Sequence, residues 1–142
     1  MNLPLDVQHQ LLAAAREAAA ASYSPYSQFP VGAALYQGGD QPLILGCNVE
    51  NVSYGLTMCA ERTAIFKAVS EQRTGPMLAM GIIAKKAKPC MPCGACLQVL
   101  LEFAPEIQLV FENEDGSPRL LTLKQLLPYA FTSQDLPEPT RA

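Results

Sequence analysis

Two short segments place the tightest demand on how this chain can fold: Cys59-Ala60-Glu61 and Pro92-Cys93-Gly94-Ala95-Cys96. Cys93 and Cys96 are three positions apart, so both project the same way from the first turn of a helix. Cys59 and Glu61 are two apart and would lie nearly opposite each other on a regular helix. They converge on one centre only if the pair straddles a helix start, with the reacting centre beyond the end of that helix. Two helix N-termini must therefore meet. The partial positive charge at such ends favours anionic sulfur and lowers a thiol's pKa.

The rest of the pattern supplies those helices and a sheet to carry them. Leu5 to Ser22 reads as a first helix with Leu11, Leu12, Ala15, Ala18 and Ala19 on one side, ended by Ser24-Pro25-Tyr26-Ser27. Val31 to Tyr36 and Leu43 to Cys47 read as strands joined through Gly38-Gly39-Asp40. Met58 to Ser70 reads as the second helix. Its Ala60, Ala64 and Ala68 form a face able to approach a neighbour closely, with Ile65 and Val69 adding bulk. Leu78 to Ala84 is a strand and Cys93 to Phe103 a third helix. Ile107 to Phe111 and Arg119 to Leu121 flank Asp115-Gly116, which predicts an antiparallel pair. Thr122 with Gln125 matches a capping box, opening a short helix that stops by Pro128. This order predicts an α/β fold: a three-layer α/β/α sandwich with helices on both faces of a mixed five-stranded sheet.

The chain's 142 residues suit a single domain, residues 1–142, without repeats or a linker. Apolar residues at 49% and charged ones at 16% are a globular composition. A net charge of −3 argues against binding polymeric nucleic acid and favours small-molecule chemistry. Met1 to Gln10 has no secretory pattern, and the apolar stretch from Leu11 to Ala21 is interrupted by Arg16-Glu17 and too short to span a membrane. These features predict a cytoplasmic location, where five cysteines suit metal binding or catalysis better than disulfides.

A C-x-x-C pair alone is open to structural zinc or redox chemistry as well as to a catalytic metal. The separate Cys-Ala-Glu segment changes the balance. Three protein ligands on Zn²⁺ leave a fourth position free, the arrangement of a catalytic site. Glu61 then need not be a ligand: a carboxylate beside metal-activated water can take its proton and return it to a substrate nitrogen. Three thiolates leave the site negative, and Arg62 is the candidate for charge compensation. The pattern resembles that of zinc-dependent deaminases in its three-cysteine form. Cys47 and Cys90 read as bystanders, a small buried hydrophobe and a loop thiol, although either could complete a four-sulfur structural site. His9, the single histidine, reads as a surface residue of the first helix.

Over nearly its whole length, from about Tyr23 to Leu136, the chain resembles the homotetrameric cytidine deaminases that act on free nucleosides. The similarity runs through Phe29-Pro30-Val31-Gly32-Ala33-Ala34-Leu35, Gly46-Cys47-Asn48-Val49-Glu50-Asn51, Cys59-Ala60-Glu61-Arg62-Thr63-Ala64, the Pro92–Cys96 segment and Leu126-Leu127-Pro128. The resemblance implies one Zn²⁺ per subunit and hydrolytic deamination of cytidine and 2′-deoxycytidine in pyrimidine salvage. It also implies a homotetramer with active sites at subunit interfaces. It assigns Asn48 and Glu50 to the ribose 3′-hydroxyl, Phe29 to the pyrimidine face and the Ala60 N–H to the base carbonyl. Tyr54 and Phe131 match residues that reach the sites of neighbouring subunits. Without the family, Asn48 and Glu50 read as a polar turn, Tyr54 as a surface residue, and Phe29 and Phe131 as core aromatics. Three positions depart from the family pattern: Leu97 where Arg is frequent, Met91 where Ser is usual, and Val52 where Ala is usual. An alternative substrate is a modified aminopyrimidine nucleoside such as blasticidin S. A third reading is a non-catalytic protein with structural zinc.

Overall fold

The computed structural model describes residues 3–73 and 75–137. Its elements follow the predicted order: α1 (Leu5–Ala19), β1 (Val31–Tyr36), β2 (Ile44–Cys47), α2 (Ala60–Ser70), β3 (Ala79–Ala84), α3 (Gly94–Phe103), β4 (Gln108–Glu112), β5 (Pro118–Thr122) and α4 (Leu123–Leu126). Two single-turn 3-10 segments, Tyr54–Leu56 and Ser133–Asp135, were not anticipated.

The strands form one sheet in the order β2-β1-β3-β4-β5. β1 is antiparallel to both β2 and β3, β3 and β4 are parallel, and β5 returns antiparallel to β4. Three strands, β2, β3 and β4, therefore run the same way. Since α2 follows β2 and α3 follows β3, both helices begin at the same edge of the sheet. That is the convergence the Cys-Ala-Glu segment requires.

The two faces are covered by different helices. Leu11, Leu12 and Ala15 of α1 pack with Ala34, Ala79, Ile83 and Val110. Ala60, Ala64, Ile65 and Ala68 of α2 join Leu97 and Leu100 of α3 over Ala33, Leu35, Met80, Ile82, Leu109 and Phe111. All six residues of β3 are buried, as expected for a strand covered on both sides. Val69 is half exposed and turns away from the packed face of α2, leaving Ile65 to fill it.

The differences at element ends have local causes. α1 stops at Ala19, and the next three amides bond three residues back in a tightened finish. Tyr23 is then drawn out to exchange hydrogen bonds with Asn48 and Glu50. The predicted hairpin turns are present, with Gly38, Gly39 and Gly116 at positive φ. The capping box at Thr122 and Gln125 is closed in both directions.

Gly46 sets how closely α2 lies on β2. A Cβ there would come within 2.4 Å of the Ala60 carbonyl oxygen and 2.5 Å of the Ala64 amide nitrogen. These are backbone atoms of the turn that carries Glu61, so the helix itself would have to move. Gly46→Ala is expected to lower stability by about 1–3 kcal/mol. Gly94→Ala, where a Cβ meets nothing within 4 Å, should change it by less than about 1 kcal/mol. Urea unfolding of the two variants checks the contrast.

Candidate active site

Cys59 is the residue immediately before α2, with extended backbone at φ −74° and ψ 155°, while Glu61 lies in the first helical turn. Cys93 holds the equivalent place before α3, at φ −73° and ψ 165°, and Cys96 is within the helix. Both helices begin slightly later than the sequence reading placed them. A sulfur outside the regular helix is free to turn across its end, which a helical Cys59 could not do while sharing a centre with Glu61.

The sulfur atoms of Cys59, Cys93 and Cys96 all lie within 4.8 Å of one another, and the Cys59–Cys93 separation is 4.0 Å. Among the described residues no other histidine, cysteine or carboxylate joins this group. Three soft sulfur donors at two helix N-termini fit Zn²⁺ and leave room for a non-protein ligand. Arg62 Nη2 donates to Cys59 Sγ at 3.3 Å, so the guanidinium lies against the sulfurs as the charge-balance argument requires. A hydrogen bond from Cys96 and then the Arg62 charge pull the Cys59 thiol well below the ordinary thiol range. The same bond, with burial and the nearby Glu61 carboxylate, pushes Cys96 up.

Glu61 is 4% exposed. Removal from water is the main force raising its carboxyl pKa, and the Cys59 charge adds to it. Glu61, Cys59 and Cys93 line a cavity of ≈ 310 Å³ whose walls also include Phe29, Val31, Asn48, Ala60 and Met91, while Cys96 is buried behind it. Ala60 is fully buried there at the first position of α2, where a backbone N–H has no partner within the helix. A second hollow, of ≈ 330 Å³, contains Glu50, Tyr26 and Tyr54. Ser27 and Thr57 border both, so the two are continuous.

Asn48 has a structural task at this junction. Its Oδ1 accepts from the Val31 N–H at 2.9 Å and from the Ser22 hydroxyl, while its Nδ2 donates to the Phe29 carbonyl at 2.9 Å. The side chain thereby clamps the Phe29–Val31 backbone against the end of β2. Glu50 accepts hydrogen bonds from the Tyr26 N–H, the Ser27 N–H and the Ser27 hydroxyl. These bonds, that of the Ser27 hydroxyl foremost, hold its carboxyl below the usual range.

Several lining residues escaped the sequence reading, among them Cys90, Ser27, Thr57 and Tyr26. Cys90 is a wall of the cavity, not a remote loop thiol, and burial next to Glu61 and Cys59 pushes it up to about 11. Ser27 and Thr57 carry no motif of their own; the pairing of Val49 with both Tyr23 and Met58 brings their segments together. Tyr54, 75% exposed, stands at the outer hollow with its ring 5.8 Å from that of Tyr26. Phe131, 61% exposed, is not brought to this cavity. It lies beside α3, where its carbonyl accepts from Gln98 Nε2 at 2.9 Å.

Residues 5–111 match the family model described as the cytidine and deoxycytidylate deaminase zinc-binding region. A cytidine deaminase of Halalkalibacterium halodurans is 45% identical over 130 residues, 91% of this chain and 97% of that protein. A cytidine deaminase of Mycobacterium tuberculosis is 45% identical over 127 residues, covering 89% and 91% of the two chains. The crystal structure of cytidine deaminase from Burkholderia pseudomallei superimposes with a TM-score of 0.79 at 44% identity, over 87% of this chain and 98% of that one. The sulfur cluster, the buried carboxylate beside it and these similarities agree. The chain belongs to the zinc-binding cytidine and deoxycytidylate deaminase family.

Proposed function

We propose that this protein is a cytidine deaminase converting cytidine, or 2′-deoxycytidine, and water into the uracil nucleoside and ammonia. The observation that carries the proposal is the buried Glu61 carboxylate beside a cluster of three sulfurs, with Glu61, Cys59 and Cys93 lining one cavity. The proposal treats residues 1–142 as one catalytic domain.

In this reading Cys59, Cys93 and Cys96 hold Zn²⁺, and Arg62 offsets the negative charge of their sulfurs. Zinc, when bound, lowers the pKa of water toward neutrality. Glu61 takes a proton from the attacking water and passes it to N3 of the pyrimidine while the water oxygen bonds to C4. Glu61 then takes the second proton from the hydroxyl now on C4 and delivers it to the amine; the C4–N bond breaks, the C4 carbonyl forms and the amine leaves as ammonia. Burial raises the proton affinity of this carboxyl, which suits a group that must both accept and return a proton. The Ala60 N–H meets the base carbonyl and Phe29 packs on the ring face. Asn48 shapes the Phe29 wall, and Glu50 accepts the ribose 3′-hydroxyl in the continuing hollow.

Glu61→Gln is expected to keep its zinc and lose about 10²–10⁴-fold in kcat, read from the fall in ultraviolet absorbance of cytidine. Near-normal turnover with zinc present would refute the role given to Glu61. Metal content tests the open coordination. Wild type, Cys90→Ala and Cys47→Ala should each carry about one zinc per chain, whereas Cys59→Ala, Cys93→Ala and Cys96→Ala should bind it at least about tenfold more weakly. Zinc loss in Cys90→Ala would instead favour a closed structural site.

The chain is further proposed to assemble as a homotetramer in the cytoplasm. All five cysteines are free thiols, which suits a reducing compartment. No helix among the described residues is long and apolar enough to cross a membrane. Val52, Tyr54 and Leu56, each at least two-thirds exposed, lie within five residues of one another in the segment that carries Tyr54 to the outer hollow, and they favour burial against another copy. Light scattering should give the mass of four chains. Phe131→Ala should lower kcat/KM about tenfold or more while leaving zinc content unchanged.

A further inference from the structure

Ser27 is exposed and belongs to neither zinc segment, yet its hydroxyl stands between two groups the proposed reaction uses. It donates a short hydrogen bond to Glu50 Oε1 and accepts from the Phe29 N–H at 3.1 Å. The Ser27 N–H donates to Glu50 Oε2 at 3.2 Å, and the Tyr26 N–H donates to the same oxygen at 2.9 Å. The turn that presents these donors is closed by the Gln28 N–H on the Ser24 carbonyl at 3.0 Å. Gln28 takes a positive φ of 51°, and Lys86 Nζ donates to its carbonyl.

A carboxylate offers about four acceptor directions, two on each oxygen. The Tyr26 and Ser27 amides occupy both directions of Oε2, and the Ser27 hydroxyl takes one of Oε1. One acceptor direction of Oε1 is left for an incoming hydroxyl. The same serine oxygen is bonded to the backbone of Phe29, so the carboxylate and the aromatic wall are set by a single atom.

We infer that Ser27 is a positioning residue for the nucleoside's sugar: its hydroxyl aims Glu50 Oε1 at the ribose 3′-hydroxyl and couples that carboxylate to the Phe29 wall. The inference rests on the proposed role of Glu50 as the ribose acceptor. Removing the hydroxyl leaves Glu50 anchored through Oε2 alone, with Oε1 free to turn and to take up water. The loss should fall on substrates that present a 3′-hydroxyl.

The test compares cytidine with 3′-deoxycytidine in wild type, Ser27→Ala, Ser27→Thr and Glu50→Gln, each with zinc content verified. In Ser27→Ala, kcat/KM for cytidine should fall about tenfold, mainly through KM. The preference for cytidine over 3′-deoxycytidine should narrow about fivefold or more, and Ser27→Thr should restore it. Glu50→Gln should narrow the same preference. If Ser27→Ala depresses both substrates equally while Glu50→Gln remains selective, the serine only supports the loop and the inference is overturned. An unchanged preference in Glu50→Gln overturns the inference together with the ribose role of Glu50, but leaves deamination itself intact, since wild-type cytidine turnover reports that independently.

Discussion

The structure turns on the meeting of two helix ends at one edge of the sheet. Because β2, β3 and β4 run in one direction, the helices that follow β2 and β3 both start where those strands finish. Each start presents unpaired amide N–H groups and a partial positive charge. Sulfurs at such ends are favoured as thiolates, and three of them within 4.8 Å repel one another unless a cation intervenes. Arg62 supplies one unit of positive charge from the side of α2, and a zinc ion supplies the remainder. Fold direction, helix electrostatics and metal affinity are thus one constraint seen at three scales.

The close approach of α2 to β2 extends this constraint into the core. Ala60, Ala64 and Ala68 are all fully buried, and Gly46 lets the α2 backbone settle against the strand. A larger residue at any of these positions would lift the helix and, with it, the Cys59–Glu61 turn. The small-residue face is therefore a positioning device for the chemistry as well as a packing solution. It also accounts for the burial of Glu61: a helix pressed this closely onto the sheet carries its first acidic side chain out of water, which raises that group's affinity for a proton.

Much of this was legible in the sequence because it follows from spacing. The two-residue offset of Cys59 and Glu61 admits one geometry, and the structure adopts it. The hairpin at Asp115-Gly116 and the capping box at Thr122 are likewise local signals that tertiary packing did not override. What spacing could not convey was which groups meet across the chain. Asn48, read through the family as a sugar-binding amide, spends three hydrogen bonds on Ser22, Phe29 and Val31. Cys90 gave no signal beyond its residue type, yet with Met91 and Cys93 it lines the same cavity as Cys59, Ala60 and Glu61. Phe131, matched through the family to a site residue, lies outside its own chain's cavity, against Gln98 of α3.

The polar seam formed by Ser22, Ser27, Asn48 and Glu50 shows why the aromatic wall stands where it does. Phe29 lies on an irregular segment, between the finish of α1 and the start of β1, with no helix or sheet ladder to hold it. Its carbonyl is bound by Asn48 and its N–H by Ser27, while Val31 is bound by Asn48 again. The two Asn48 bonds are part-buried, where a hydrogen bond is stronger than in water, and the Ser27 hydroxyl that receives the Phe29 N–H is itself bonded to the Glu50 carboxylate. A loop held at three backbone points between Phe29 and Val31 can present a flat ring to a substrate with little left to order on binding. The metal edge of the cavity is preorganised by helix ends and the sugar edge by this seam. The distance between the two is set by the single sheet that both are built on.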